Sequence, residues 1–371
     1  MAVASLTTAL AVTGFLGLTA ATTGNPPATV KVATAAPSHG GYSAVVKQVL
    51  PAVVNISSSR TVSNQVSADM PDEFFRQFFG NQFRDVPRDR REKALGSGVI
   101  VSPEGYILTN NHVVDGATDV TVTLHDKREL KARVVGTDPR TDIAVLKVEG
   151  SNFPTLTLAD SSKVEVGDIV LAVGDPFGVG KTVTQGIVSA TGRGGLGIEE
   201  VEDFIQTDAS INPGNSGGAL VDDQGHLIAI NTAIVGSSGG SQGIGFAVPV
   251  NLAKYDMDQI VAHGKVERGY MGIVPEDAEG SKGATVKQIS ANGPASKSDL
   301  KTGDVIVAVN GQSVEDANQL RLKVSMLAPN AKVDFKVMRD GKPVQVAMTL
   351  GEFPDTQERA AAPRRQYRQQ R

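Results

Sequence analysis

The segment Gly214-Asn215-Ser216-Gly217-Gly218-Ala219-Leu220 restricts the fold open to this chain more than any other. Glycines packed this closely suit a tight turn, where the backbone takes positive φ or lies against other main chain. Small neighbours expose the Ser216 hydroxyl and free the N–H groups around it. A serine held this way suits nucleophilic attack, because the resulting oxyanion needs donors. Gly214, Asn215 and Ser216 frame that position, with the N–H groups of Gly214 and Ser216 as the natural donors. Taken alone, the segment fits an ordinary glycine turn better.

Two further segments shift the balance. His112 sits in Thr109-Asn110-Asn111-His112-Val113-Val114, after the apolar run Gly105-Tyr106-Ile107-Leu108. Asp142 sits in Thr141-Asp142-Ile143-Ala144-Val145-Leu146-Lys147-Val148, just before a strand-like run. A serine hydroxyl is a poor nucleophile until a base takes its proton. An imidazole does this, and a carboxylate fixes its tautomer and stabilises its cation. The order His, Asp, Ser is one of the orders in which such triads arise. The chain has five histidines. His39 lies in a Gly/Ser/Pro stretch, His125 precedes a charged run, His226 follows the turn Asp222–Gly225, and His263 precedes Gly264 at a helix end. These four read as surface or satisfied core residues. His112 alone combines a preceding apolar strand with a surrounding polar turn.

Composition narrows the chemistry. Forty glycines against 5 % aromatic residues favour short strands joined by tight turns. With 40 % apolar content, 371 residues leave room for two or three domains with sizeable cores. A net charge of −4 and no basic stripe give no global attraction to nucleic acid or anionic membrane. No cysteine is present, so disulfides, a thiol nucleophile and a Cys-ligated metal are excluded. No HExxH, carboxylate–histidine cluster or nucleotide loop appears, so no metal, cofactor or ATP is expected.

Residues 2–21 are apolar and uncharged, like an export h-region with Ala20-Ala21 as a cleavage neighbourhood, although a basic n-region is missing. The alternative is an uncleaved anchor, since the stretch approaches the ~20 residues that a span needs. Its four threonines argue against a strong membrane helix. Either reading places the remainder outside the cytoplasm. Residues 22–41 form a Pro/Ala/Thr/Gly-rich linker, and Tyr42–Pro51 a short amphipathic segment. Within the polar stretch 57–95, Pro71-Asp72-Glu73 starts a helix whose Phe74, Phe75, Phe78 and Phe79 form a stripe, with Phe83 following. Such a stripe requires a partner: a subunit, the cleft or the domain itself. From Gly96 to about Pro249 the chain reads as all-β, with strands at 98–101, 120–124, 132–135, 143–148, 169–173, 183–189 and 227–234. Residues 250–263 read as a helix stopped by Gly264, which marks a domain boundary.

The strings GSGVIV (96–101), TNNHVV (109–114), TDIAVLKV (141–148), QTDASINPGNSGGAL (206–220), INTAI (230–234) and GIGFAVP (243–249) resemble the HtrA/Deg family of trypsin-like serine proteases. The resemblance covers roughly residues 42–350. It implies a mainly β fold with two six-stranded chymotrypsin-like barrels and the active site between them, over 42–263. A PDZ domain over 264–352 and a disordered basic tail over 353–371 follow. One departure is Asp175-Pro176-Phe177-Gly178, where the family more often has Asn-Pro-Phe-Gly.

Within the resemblance, Arg268-Gly269-Tyr270-Met271-Gly272-Ile273 matches the carboxylate-binding loop and first strand of the PDZ domain, where a peptide C-terminus is held while the peptide adds a strand. A structural turn is the plainer reading. Ser210, six positions before Ser216, lies where trypsin-like folds have the base of the primary pocket, and offers no charge for Lys or Arg. Ile230, Asn231, Thr232, Ala233 and Phe246 are expected in its walls, giving a small apolar pocket for Val, Ala, Leu or Ile. The family also implies a homotrimer or higher multiple in which the segment around Tyr42–Leu50 packs on the next subunit; packing on its own barrel is the alternative. In the glycine-rich loop 191–203, Arg193 matches the arginine that relays PDZ or substrate occupancy to Gly214; the plainer reading is a solvated side chain. The expected activity is ATP-independent periplasmic endoproteolysis of unfolded or mislocalised envelope proteins. Two alternatives stay open: a regulatory protease that cleaves one membrane-associated partner, and a chaperone or peptide-binding scaffold with little proteolysis.

Overall fold

The computed structural model describes residues 41–61, 91–175, 180–212, 214–234 and 242–354. The expected export segment, the linker up to residue 40, the phenylalanine stripe and the arginine-rich tail from residue 355 lie outside them.

Two barrels follow one another along the chain. The first contains β1 (Val53–Thr61), β2 (Arg91–Ile100), β3 (Tyr106–Thr109), β4 (Asp119–Thr123), β5 (Glu129–Asp138) and β6 (Ile143–Val148), closed in the order β1-β2-β3-β6-β5-β4. The second contains β7 (Ile169–Gly174), β8 (Thr182–Arg193), β9 (Phe204–Thr207), β10 (Ala219–Asp222), β11 (Leu227–Ile234) and β12 (Gly245–Pro249), closed as β10-β11-β12-β9-β8-β7. Alternation sets the inward faces: Val120 and Val122 of β4 point into the first barrel with Ile56, Ile107 and Leu146. A third cluster lies between the barrels and joins Val99, Leu108 and Ile143 of the first to Val173, Phe204, Ile230 and Phe246 of the second. Burying such an apolar seam fixes the barrels against each other, so residues projecting from both sides of it keep constant spacing.

A short helix, α1 (Ser43–Val49), precedes β1. Tyr42, Val45 and Val46 pack against the seam, and a Cβ at Gly225 would touch Val49 and Val45, so this segment covers its own barrels. The helix α2 (Asn111–Val114) follows β3. After β12, α3 (Val250–His263) ends where Gly264 takes φ +79 and donates its N–H to Ile260 O, the left-handed stop expected of that glycine. This helix packs back on β5 and β6, bringing Asp256 behind the end of β5.

The C-terminal unit holds β13 (Gly269–Tyr270), β14 (Ile273–Asp277), β15 (Ala284–Ile289), β16 (Val305–Val309), β17 (Gln312–Ser313), α4 (Ala317–Ser325), β18 (Lys332–Arg339), β19 (Lys342–Thr349) and β20 (Gly351–Glu352). Its sheet runs β14-β15-β16-β18-β19, so β14 is an edge strand. Asp340 and Gly341, both at positive φ, make the β18–β19 hairpin turn that Arg339-Asp340-Gly341-Lys342 suggests.

Phe353 and Pro354, expected at the head of a disordered tail, are anchored instead. Phe353 N donates to Arg268 O at 2.9 Å, its ring packs on Tyr270, and the Arg140 guanidinium stacks 4.7 Å from that ring. Arg140 Nη2 also donates to Pro354 O at 2.8 Å.

Candidate active site

Asp142 is the hub of the cleft between the barrels. It takes φ +59, a strained value for a non-glycine residue that persists only when its surroundings hold it. They do so from both sides. Asp142 O accepts from Asn111 N at 3.1 Å and from Asn110 Nδ2 at 3.0 Å. The carboxylate, 3 % exposed, accepts from His112 N at 3.0 Å and lies 2.7 Å from His112 Nδ1. A carboxylate accepts, so Nδ1 carries the proton and Nε2 is left as the basic nitrogen. Thr232 Oγ1 on β11 donates to the same Oδ2 at 2.6 Å, and Thr232 O accepts from Ser216 Oγ at 3.3 Å. One threonine therefore links the sequence-predicted aspartate to the sequence-predicted serine.

The serine turn is held by main chain. Ser216 O accepts from Ser97 N at 2.8 Å, Gly217 N donates to Asn231 O at 2.8 Å, and Gly218 N donates to Asn215 O at 2.9 Å. A Cβ at Gly217 would run into the Ser97 carbonyl and the Thr109 hydroxyl, so glycine is required there for space as well as for φ +80. In a trans peptide C=O and N–H point oppositely. Asn215 O faces Gly218, so the Ser216 N–H points the other way, toward the cleft. The Asn215 N–H is already given to Asn212 O at 2.9 Å, so Asn215 does not supply an oxyanion donor. Its side chain instead packs beneath Gly174 and reaches Ser210 O at 3.5 Å.

Behind the turn stands Ser97, wholly buried, which sequence reasoning did not single out although it lies within GSGVIV. Its Oγ donates to Gly214 O at 2.6 Å and accepts from Asp175 N at 2.8 Å, and its carbonyl accepts from Thr109 Oγ1 at 2.7 Å. A small hydroxylated residue between two glycines was the available signal. Thr232 was expected as a pocket wall, and its hydroxyl bond to Asp142 had no sequence signal at all.

Other expected pocket residues divide. Ser210 lies beside the turn and its carbonyl accepts from Thr184 Oγ1 at 2.8 Å. Asn231 is fully buried, and Nδ2 donates to Ala219 O at 3.1 Å. Ile230 faces the seam between the barrels, so it backs β11 and does not wall a pocket. Phe246 also joins the seam, its ring 5.7 Å from Phe204. Ala233 pairs with Phe246 across a bulge in β11.

The loop behind Asp142 is pinned ionically. Arg268, 1 % exposed, pairs with Asp138 and with Asp256 of α3, whose Oδ2 accepts from Thr141 Oγ1 at 2.6 Å. Burial pushes the Asp256 carboxyl up to about 7 against the opposing pull of that guanidinium. The Arg268 side chain is thus turned into the N-terminal barrels, away from β14. Of the residues after it, Gly269 and Tyr270 pair with β20, Met271 is buried in the C-terminal core, and Gly272 (φ +76) and Ile273 open β14. Arg193 closes β8 and donates from Nε to Gln206 Oε1 at 3.0 Å. The loop after it folds on Glu202, whose carboxylate accepts from the N–H groups of Leu196, Ile198 and Glu199.

Two closed barrels with a serine turn and a His–Asp pair at their seam, joined to an edge-stranded C-terminal unit, define the trypsin-like peptidases that carry a PDZ domain. Residues 96–230 match the trypsin-like peptidase domain, and residues 269–350 match the PDZ domain. The chain is 42% identical over 340 residues to the probable periplasmic serine endoprotease DegP-like of Chlamydia muridarum, covering 85% of this chain and 68% of that protein. It is 41% identical over 345 residues to the protein of the same description from Marinomonas sp., covering 87% and 73%. Among solved structures, the HtrA-type protease AlgW with decapeptide aligns at TM-score 0.69 and 43% identity, covering 85% of this chain and 99% of that one. AlgW with tripeptide aligns at TM-score 0.71 and 42% identity, with the same coverage. The chain belongs to this family of HtrA-type, DegP-like serine endoproteases.

Proposed function

We propose that this serine endopeptidase works in the periplasm on unfolded or mislocalised envelope proteins, with Ser216 as nucleophile, His112 as general base and Asp142 as its orienting carboxylate. The observation that carries the reading is the chain of contacts His112 Nδ1–Asp142 Oδ2 (2.7 Å), Thr232 Oγ1–Asp142 Oδ2 (2.6 Å) and Ser216 Oγ–Thr232 O (3.3 Å). With Nδ1 committed to Asp142, Nε2 takes the Ser216 proton once that hydroxyl turns from Thr232 O, as Oγ attacks the scissile carbonyl carbon. The N–H groups of Gly214 and Ser216 receive the developing oxyanion. The same proton passes to the leaving amine, and water then releases the acyl group by the reverse use of His112. Ser210 at the pocket base offers no charge to a Lys or Arg side chain, which favours aliphatic residues before the cleaved bond.

The periplasmic location is supported by the names of the relatives. Among the described residues no helix is long and apolar enough to cross a membrane. The PDZ domain receives peptide C-termini at Gly272–Ile273, Arg193 belongs to the loop that relays this occupancy to Gly214, and the chain assembles as a homotrimer. Digestion of casein tests the activity. Cleavage after Val, Ala, Leu or Ile is expected. In Ser216→Ala kcat falls by a factor on the order of 10⁴ or more with an unchanged melting temperature. Undiminished cleavage by that variant rejects the nucleophile.

A further inference from the structure

The PDZ groove of this chain lies between the edge strand β14 and α4, and its far half is already closed. Met271 O accepts from Ala295 N and Gly272 O from Ser290 N, both at 2.8 Å. The opposite ends of those two peptides, the N–H groups of Gly272 and Ile273, therefore point out of the domain at the mouth of the groove. From there the ladder alternates. Ser290 N bonded to Gly272 O makes Val274 the next residue turned toward β15. Ala278 N bonded to Gly283 O makes Glu276 the one after, with the bulge taken up in β15. Ile273, Pro275 and Asp277 are left facing the free edge, where an incoming peptide would pair.

At the centre of that edge Pro275 has no N–H to give. Its carbonyl is occupied as well, accepting from Arg321 Nη2 of α4 at 3.1 Å. One step further, Asp277 Oδ1 accepts from Ala317 N at the start of α4, at 2.9 Å. Strand and helix are thus tied together where a peptide strand would run. Strand addition needs a row of free donors and acceptors, and here that row is broken at Pro275, the middle one of its three edge-facing residues.

We propose that this PDZ domain reads only the extreme C-terminus of its ligand: the free carboxylate, held by the Gly272 and Ile273 N–H groups, and the last one or two residues, with no strand pairing upstream. This rests on the reading above that the domain captures peptide C-termini. The ligand class is then any polypeptide with an accessible free C-terminus, whatever its upstream sequence.

The test uses the full chain carrying Ser216→Ala, so that peptides survive, and competition fluorescence anisotropy. The probes are peptides of ten, six and three residues ending in the same Leu-Ala-Val acid, plus the ten-residue peptide as its C-terminal amide. The three acids are expected to bind within about threefold of one another, and the amide at least about tenfold more weakly. A groove that pairs a full strand would favour ten residues over three by about tenfold or more, since each hydrogen bond lost weakens binding severalfold. That result overturns the proposal. An amide that binds as well as the acid, or no binding by any acid, instead overturns carboxylate capture itself. The double variant Pro275→Ala, Arg321→Ala restores the donor and frees the carbonyl. It is expected to bind the ten-residue acid at least about threefold more tightly than the three-residue acid. Equal binding there removes the closed edge as the cause.

Discussion

Two glycine-rich segments stand close together in this chain and behave oppositely. In the turn 214–218, side chains would collide with main chain: a Cβ at Gly217 meets the Ser97 carbonyl, and one at Gly218 meets the Val173 carbonyl. In the loop 191–203, a Cβ at Gly195 or Gly197 meets nothing within 4 Å. Both segments use positive φ, but the turn needs glycine for space against main chain, whereas in the loop the one close approach is that of Gly194 to the Asn318 side chain. Ser97, Asn231 and Asn212 hold the turn through its backbone. The loop hangs on the Glu202 carboxylate and on Asn318 of α4, whose Nδ2 donates to Glu202 O at 2.8 Å. Catalytic geometry has to be over-determined, whereas a segment tied to a second domain need not be. Glycine content alone does not tell the two apart.

The largest effect is expected where space is the constraint. Gly217→Ala strains φ and drives a methyl into the Ser97 carbonyl, so it should lower kcat/KM on casein at least about 100-fold and lower the melting temperature. Near-native activity would mean that the turn tolerates a second arrangement.

An intermediate effect is expected from the loop's half-buried acid. Burial, followed by the nearby Asp142, Glu202, Asp138 and Glu200, pushes the Glu199 carboxyl up to about 9. In the unfolded chain a glutamate releases its proton near ~4.3. Between those values the folded state binds more protons than the unfolded state, so stability falls as pH rises through the window. Glu199→Gln keeps the neutral shape without the titration. It should melt higher than the parent at pH 8.5 and match it at pH 4. An equal offset at both pH values would remove Glu199 from the account. The smallest effect belongs to Gly195→Ala, about 1 kcal/mol for the positive φ alone, with activity retained. A loss as large as that of Gly217→Ala would erase the distinction between the two segments.

Much of this architecture was legible in the sequence, and what was not shares a cause. Strands with one solvated face, such as β4 and β5, show their alternation, and α3 shows its glycine stop. The strands β1, β9, β10 and β12 were not read as such; β9, β10 and β12 are only four or five residues long, so their buried runs do not stand out as the longer ones of β6 and β7 do. His112, Asp142 and Ser216 could be picked out because nucleophile chemistry requires particular residue types in particular turns. Ser97 and Thr232 act through small hydroxyls inside apolar strands, where composition resembles plain packing. Arg268 misled for a related reason: its neighbours Tyr270–Ile273 form a PDZ signature, while its own side chain answers to Asp138, 130 positions away along the chain.

The most direct test is covalent. The full chain is treated with a peptidyl diphenyl phosphonate carrying Val next to phosphorus, and the adduct is located by tandem mass spectrometry. A single adduct on Ser216 is expected, lost in His112→Ala while that variant melts as the parent does. An adduct on a different serine, or casein cleavage that persists in the fully labelled protein, would contradict the assignment of this cleft as the catalytic centre.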